Sequence, residues 1–279
     1  MEPHGKSPAK IVIAVIPARA ASVRLPGKLL REIAGKPLIV HTLERAKSAK
    51  TVSRVIVATD DEAIRDAVIE AGGEAQMTSP EHLSGSDRVA EVAAALPEGS
   101  IIVNVQGDEP LISPETIDAA VNAILETGAS LSPDIVSIYE TFESVSEALD
   151  PNNVKVVVDE NGYALYFSRS PMPWPRDASL RYGGDATRAI EAEPELLANF
   201  KKHAGLYVYR REFLLEFTRS PQTSLEKIEM LEQLRALENG AKIKLVKAAA
   251  GSVGVDTEDD LERVRRIVEA GVSQGRFAN

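Results

Sequence analysis

Apolar runs and amphipathic segments alternate along the first half of the chain, and this alternation limits the possible folds more than any other feature. Strand-like runs at residues 11–16, 55–58 and 101–105, with a shorter one at 74–77, are each followed by apolar residues at helical spacing. Strands that alternate with helices predict a parallel sheet with helices on both faces. We therefore expect an α/β fold with a mostly parallel, Rossmann-like sheet.

The second half has a different pattern and predicts an inserted β-rich lobe. Residues 134–139, 154–158 and 164–168 are short β-rich segments, and Glu160-Asn161-Gly162 is a hairpin signal between the last two. We also expect strands at 206–209 and 242–246 and helices at 224–238 and 258–269. No repeat or linker interrupts the chain, so we predict a single domain over residues 10–272, with halves 10–129 and 130–272.

Composition excludes several classes of function. The formal net charge of −10 argues against general binding to nucleic acid or to an anionic membrane surface. The chain has no cysteine, which excludes disulfides, thiol catalysis and cysteine-ligated zinc. No apolar run approaches the roughly 18 residues of a membrane span, and the apolar centre at 11–16 is shorter than the roughly 7–15 residues of a secretory signal. We therefore expect a cytoplasmic protein without membrane insertion.

A basic loop follows the first predicted strand. It contains the cations Arg19, Arg24 and Lys28, with Ser22 among them and Pro26-Gly27 just before the lysine. Ligands of open α/β sheets bind at the carboxyl ends of the strands, and cations there suit a polyphosphate. A solvated basic turn is the alternative that this loop alone leaves open.

Two aspartates stand at comparable places later in the chain. Asp108 follows the buried strand 101–105, and Pro110 and Pro114 separate it from the next helix. A carboxylate there suits Mg²⁺, which uses one or two carboxylates together with substrate phosphates. Asp256 directly precedes Thr257 and the terminal helix, and the residues alone favour a helix-capping role for it.

Other motifs are less specific. Residues 84–88 (SGSDR) form a polar loop before the predicted helix 89–96. His41 and His203 occur at no metal-ligand spacing, so a histidine metal site is not expected. Residues 11–28 contain a single glycine, which argues against an ATPase P-loop or a dehydrogenase fingerprint.

Taken together, the motifs resemble those of the acid-sugar cytidylyltransferases, and within them the enzymes that act on 3-deoxy-manno-octulosonate (KDO). They are PARAASVRLPGK, SGSDR, VNVQGDEP, YFSRSPMPW, HAGLYVYRREFL, EMLEQLRALENG and GVDTEDDLERV. The match extends from about residue 11 to about residue 267. The resemblance implies a nucleotidyltransferase that converts CTP and KDO into CMP-KDO and pyrophosphate with Mg²⁺, for lipopolysaccharide synthesis. It also implies a homodimer built through residues 130–170, with nucleotide binding in the first half and sugar binding in the second.

The resemblance assigns roles residue by residue. The resemblance implies that Lys28, Asp108 and Asp256 are catalytic. It also implies that Asp108 and Asp256 bind Mg²⁺, and this role for Asp256 replaces the helix-capping role that the residues alone favour. The nucleotide-binding residues that it implies are Arg19, Ser22, Arg24, Lys28, Ser84, Arg88 and Gln106. The sugar-binding residues are Gln106, Arg169, His203, Tyr207, Glu229 and Gln233.

Some alternatives remain open at this stage. Ala20 and Val23 stand where the family often has tyrosine and threonine, which leaves the affinity for CTP undetermined. The sugar acid is alternatively a sialic acid or 8-amino-KDO. A different class of protein, a homologue that only binds nucleotide, is disfavoured because the basic loop and both aspartates are present.

Overall fold

The structure is a computed structural model that describes residues 10–19, 25–126 and 132–273 of the 279-residue chain. Strands β1 to β11 in these residues are, in chain order, Val12–Ala18, Glu32–Ile33, Lys36–Pro37, Arg54–Thr59, Glu74–Met77, Ile101–Asn104, Ile135–Glu140, Lys155–Val158, Ala164–Ser168, Lys202–Arg210 and Ile243–Lys247. Helices α1 to α11 are Leu38–Lys47, Glu62–Glu70, Gly85–Ala94, Pro114–Leu125, Val145–Leu149, Arg176–Arg181, Ala186–Ala192, Arg211–Phe217, Ser224–Glu229, Gln233–Glu238 and Glu258–Ser273. Short 3₁₀ turns cover Lys28–Leu30 and Pro194–Asn199.

The main sheet has the strand order β11-β7-β10-β6-β1-β4-β5. Strands β5, β4, β1 and β6 are parallel, and β11 is parallel to β7. Only β10 is antiparallel to its neighbours on this path, β6 and β7. The expected α/β fold with a mostly parallel sheet is therefore confirmed.

Helices pack on both faces of the sheet because the side chains of β1 alternate between two cores. Ala14 and Ile16 face one core, which α1, α2, α4 and α11 cover. Ile13 and Val15 face the other core, which α3, α8 and α10 cover. Strand β1 continues through Pro17, which the sequence placed in the loop. Proline indicated the end of the strand because it has no N–H to donate to a neighbouring strand. Beyond Val15, however, β1 pairs only with β4, so Pro17 fits within the strand.

The segment between β7 and β10 forms the inserted part of the fold. Its hairpin β8–β9 joins the main sheet at the N-terminal end of β10, where Lys155 pairs with Lys202. The intervening helices close over a small separate core that includes Phe142, Ala148, Ile190 and Phe200. The division into halves at residue 129 stays a prediction.

Two helices differ from the sequence-based expectation. Residues 84–88 are not a loop, because Ser84 caps α3 and Gly85–Arg88 form its first turn. The Ser84 side chain accepts a hydrogen bond from the Asp87 backbone N–H, and Asp87 accepts one from the Ser84 backbone N–H. The predicted helix 224–238 is two helices, α9 and α10, separated at Met230, which has a left-handed backbone (φ 53°). Ile228, in α9, is exposed.

Candidate active site

A cavity opens at the carboxyl ends of the parallel strands β1 and β6. It has a volume of about 470 Å³ and is lined by all of the predicted nucleotide and metal residues that the structure describes. Those that line it are Arg19, Lys28, Ser84, Arg88, Gln106, Asp108 and Asp256. Ser22 and Arg24, and the variable positions Ala20 and Val23, lie outside the described residues. The cavity therefore combines cationic and anionic side chains at one edge of the sheet.

At its base, one ammonium group joins the two aspartates. Lys28 Nζ lies 2.6 Å from Asp108 Oδ2 and 2.9 Å from Asp256 Oδ1, and it donates a third hydrogen bond to the Val255 carbonyl at 2.9 Å. Burial alone would lower the pKa of Lys28, but the carboxylates of Asp108 and Asp256 outweigh it and raise the pKa. Lys28 thus stays cationic, and the two carboxylates lie close enough together for one cationic group to contact both.

Backbone contacts explain why these two aspartates meet. The Val255 backbone N–H donates to the Asp108 carbonyl at 2.9 Å, which fixes the segment before α11 against the loop after β6. Gly107 allows this loop to approach β1, since a Cβ at that position would lie 2.9 Å from the Pro17 carbonyl oxygen. Capping of α11 falls to the next residue, where Thr257 and Asp260 exchange hydrogen bonds. The capping role that the residues alone favoured for Asp256 is therefore wrong.

The donor set fits a hard divalent cation. Two carboxylates that converge on one point are the protein ligands that Mg²⁺ commonly uses, with phosphates and water completing the octahedron. Among the described residues no group of three or more His, Cys, Asp or Glu side chains is arranged to hold a metal. The site therefore suits a metal that arrives with a polyphosphate better than one caged by protein alone.

The N-terminus of α3 forms one wall of the cavity. Ser84 lies at its cap, and Gly85 lies next to the Pro17 ring. Arg88, in the first turn, is buried, and its guanidinium donates to Asp60 at 2.8 Å and to the Thr78 hydroxyl. In this structure Arg88 therefore ties α3 to the residues that follow β4 and β5, and it also lines the cavity.

The predicted sugar residues surround the end of β10. Because β10 is antiparallel, its N-terminal half reaches the edge where the parallel strands end, and Tyr207 pairs there with Asn104. The His203 ring lies 5.0 Å from the Phe167 ring and 5.4 Å from the Tyr207 ring. Burial and the nearby Glu232 raise the pKa of Tyr207, so its hydroxyl stays protonated.

Arg169, directly after β9, and Glu229, the last residue of α9, lie together. Glu229 accepts hydrogen bonds from the Ser168 hydroxyl at 2.6 Å and from the Arg169 backbone N–H at 3.0 Å. The Arg169 guanidinium donates to the Glu229 carbonyl at 2.8 Å and to the Pro151 carbonyl at 3.0 Å. Arg169 thus closes the C-terminal end of α9, where the helix breaks.

Two contacts join the nucleotide side to the sugar side. Gly205 lies against Gln106, since a Cβ at Gly205 would be 3.4 Å from Gln106 Cγ. The Ser86 hydroxyl of α3 donates to Glu232 at 2.7 Å, directly before Gln233, which is buried in the first turn of α10. These contacts join α3 and the loop after β6 to β10 and to the start of α10, the elements that carry some of the predicted sugar residues.

Sequence reasoning missed several polar residues of this site. The Ser252 hydroxyl binds Glu109, beside Asp108, and burial raises the pKa of Glu109 to about 7. Lys155 is fully buried, and its ammonium donates to the Asp150 and Asn153 carbonyls at 2.9 and 2.7 Å. A charged residue inside an apolar strand pattern, as in VKVVV, is the signal that marks Lys155. Glu232, among four acidic residues of one helical segment, has no such signal.

The part of the chain that the structure describes contains no helix long and apolar enough to cross a membrane.

The sheet is mostly parallel, and its carboxyl edge carries a cationic cavity and a pair of carboxylates. This combination is typical of a nucleotide-binding α/β protein. The family model described as "Cytidylyltransferase" matches residues 13–243. The chain belongs to this family. The resemblance seen in the motifs is therefore confirmed.

Individual relatives agree with this assignment. A 3-deoxy-manno-octulosonate cytidylyltransferase of Geobacter sulfurreducens is 51% identical over 91% of this chain and 97% of its own length. One of Solibacter usitatus is 46% identical over 95% of this chain and 97% of its own length. A solved structure of CMP:2-keto-3-deoxy-manno-octonic acid synthetase in complex with CTP superposes with a TM-score of 0.82. It is 39% identical and covers 94% of this chain and 99% of that one.

Proposed function

We propose that the protein transfers CMP from CTP to KDO and releases pyrophosphate. The observation that carries this proposal is the cavity with Lys28 between Asp108 and Asp256, next to the residues around β10. Relatives about 50% identical are 3-deoxy-manno-octulosonate cytidylyltransferases, which supports it, and so does the CTP in the related solved structure. The product would serve lipopolysaccharide synthesis.

In the proposed reaction the anomeric hydroxyl of KDO attacks the α-phosphorus of CTP, and the bond to pyrophosphate breaks. Arg19 lies at the end of β1 and lines the cavity, where it would bind the triphosphate, and Lys28 would bind it from the base. Ser22 and Arg24 belong to the same basic loop and would extend this contact. Ser84, Arg88 and Gln106 would hold the nucleoside part against α3.

Asp108 and Asp256 would hold Mg²⁺. When bound, the ion would supply charge neutralisation for two anionic substrates and for the phosphoryl group in the transition state. Lys28 already contacts both carboxylates, so it would share them with the metal and keep the two loops together.

KDO would bind around β10. Arg169 would face the sugar carboxylate, while His203, Tyr207, Glu229 and Gln233 would contact hydroxyl groups. Gln106, which lies against Gly205, would stand between sugar and nucleotide. The contacts of Gln106 and Ser86 across the site support a geometry in which both substrates meet.

We also propose a cytoplasmic homodimer, built through residues 130–170. Leu165 supports this because it lies within this region and is 64% exposed in the single chain. Apolar surface of this kind is typical of an interface. Light scattering should give twice the mass of the chain, and a monomer at micromolar concentration would refute the dimer.

Pyrophosphate release tests the proposed function. The protein is incubated with Mg²⁺ and CTP, ATP or UTP, each with KDO, 8-amino-KDO or a sialic acid. Release with CTP and KDO alone is expected. Release with CTP and another sugar acid would change the substrate but keep the reaction, and no release with any pair would favour a nucleotide-binding protein without catalysis.

A further inference from the structure

Ser137 has a position that the activity alone does not explain. It is a fully buried serine in the middle of β7, opposite the irregularity of β10 between Ala204 and Tyr207. Its hydroxyl oxygen lies 2.9 Å from His203 Nε2 and 2.8 Å from the Leu206 carbonyl oxygen. A buried serine between a histidine and an irregular strand suggests a role in orienting that histidine.

The single proton of the Ser137 hydroxyl fixes the direction of both hydrogen bonds. The Leu206 carbonyl only accepts, so the hydroxyl donates to it and must accept from His203 Nε2. The Ala204 carbonyl, at 3.4 Å, lies within hydrogen-bond distance of the same oxygen and also only accepts. His203 therefore has its proton on Nε2, and Nδ1 is left with a free lone pair.

The imidazole is also held neutral. Burial lowers the pKa of His203 to about 3. Within the described residues Nδ1 has no hydrogen-bond partner, and His203 is only partly buried. Nδ1 is thus an acceptor that a ligand can reach.

We propose that Ser137 is a positioning residue that fixes His203 as the Nε2–H tautomer, so that Nδ1 accepts a hydrogen bond from a hydroxyl of the sugar acid. A carboxylate has no proton to donate to this nitrogen. His203 therefore selects a hydroxyl, and the sugar carboxylate goes to a cation such as Arg169. This inference rests on the proposed function, because it takes a sugar acid as the ligand beside β10.

The tautomer is measured directly by ¹⁵N NMR of the full-length protein with labelled histidine, without substrate. The chain has four histidines, and His203 is identified by the signal lost in His203→Gln. The inference expects a protonated Nε2 and an unprotonated Nδ1 at neutral pH. A protonated Nδ1 would overturn it.

Kinetics of Ser137→Ala tests the consequence for the sugar. The Michaelis constant for KDO should rise about tenfold, the effect of losing one hydrogen bond, while that for CTP and kcat stay within about twofold. Ser137→Thr keeps the hydroxyl and should restore the KDO value. An unchanged KDO value in folded Ser137→Ala would overturn the role of Ser137.

The two failures can be told apart. If no acid sugar reacts with CTP, the proposed function fails and the sugar ligand of Nδ1 fails with it, whatever the tautomer. If KDO reacts but the tautomer or the Ser137→Ala result is contrary, only this inference fails. The wild-type NMR measurement decides the tautomer even if the serine variants do not fold.

Discussion

At the scale of single residues, the lysine between two aspartates is the feature on which the chemistry depends. Asp108 was predictable from the sequence because it follows a buried strand and precedes no helix directly. Asp256 was assigned only by resemblance, since Asp-Thr before an acidic turn is also a capping pattern. Ser137 and Glu232 were not predictable, because their partners come from distant strands and helices.

Replacement of Asp108 by alanine should abolish activity without unfolding the protein. Loss of a metal-binding carboxylate is expected to lower kcat by at least about 10²–10³-fold, the cost of one lost electrostatic stabiliser. Pyrophosphate release over a range of Mg²⁺ concentrations measures this, with thermal unfolding as the check on folding. Asp259→Ala, an exposed change near Asp256, is the matched control and should be active. Near-normal turnover of Asp108→Ala at any Mg²⁺ level would contradict the metal assignment.

His203 should also make stability depend on pH. Its folded pKa of about 3 lies below the value of about 6.5 in the unfolded chain, so the unfolded state binds an extra proton between these values. Stability is therefore lost as the pH falls below about 6.5. Between about pH 5.5 and 4, unfolding by denaturant should lose about 1.4 kcal/mol per pH unit more in wild type than in His203→Gln. Equal slopes would show that the histidine is protonated in the fold.

At the scale of helices and strands, periodicity located most elements, but capping decided where they begin and end. The short strand β5 was predicted with its bounds, and the hairpin β8–β9 followed from its Asn-Gly turn. The start of α3 was missed because an aspartate in place of glutamate made its capping box read as a loop. The break at Met230 was missed because the apolar spacing continues through it.

The cap of α3 should serve both stability and nucleotide binding. Ser84→Ala should lower the free energy of unfolding by about 1 kcal/mol, the usual cost of a lost N-cap. Because Ser84 also lines the cavity, its loss should raise the Michaelis constant for CTP several-fold. Ser113→Ala removes the cap of α4, away from the cavity, and should cost similar stability without the CTP effect. Equal CTP constants in the two variants would contradict a nucleotide contact at Ser84.

The left-handed residue between α9 and α10 gives a second test at this scale. Met230 is 76% exposed and has φ 53°, a conformation that glycine adopts without the steric cost of a side chain. Met230→Gly should therefore raise the free energy of unfolding by about 1 kcal/mol, measured by denaturant unfolding. Met230→Ala is the control and should give no gain. A loss of stability in the glycine variant would indicate one continuous helix.

At the scale of the whole molecule, the class of fold was predictable and the strand order was not. Four strand–helix repeats predicted the parallel half correctly. The patterns of β7, β10 and β11 show strands, but not that they extend the same sheet or that β10 runs against it. That reversal matters because it brings His203 and Tyr207 to the edge where β1 and β6 end. The direction of β10 is determined by contacts between distant segments of the chain, and local sequence patterns do not reveal such contacts.

The most direct test of the proposed reaction is ³¹P NMR of the wild-type protein with CTP, KDO and Mg²⁺. We expect the triphosphate signals to disappear while one phosphodiester signal, from CMP-KDO, and one pyrophosphate signal grow. Asp108→Ala should leave CTP unchanged under the same conditions. Unchanged CTP with the wild-type protein, or its conversion to free CMP without a sugar phosphodiester, would contradict CMP transfer to KDO.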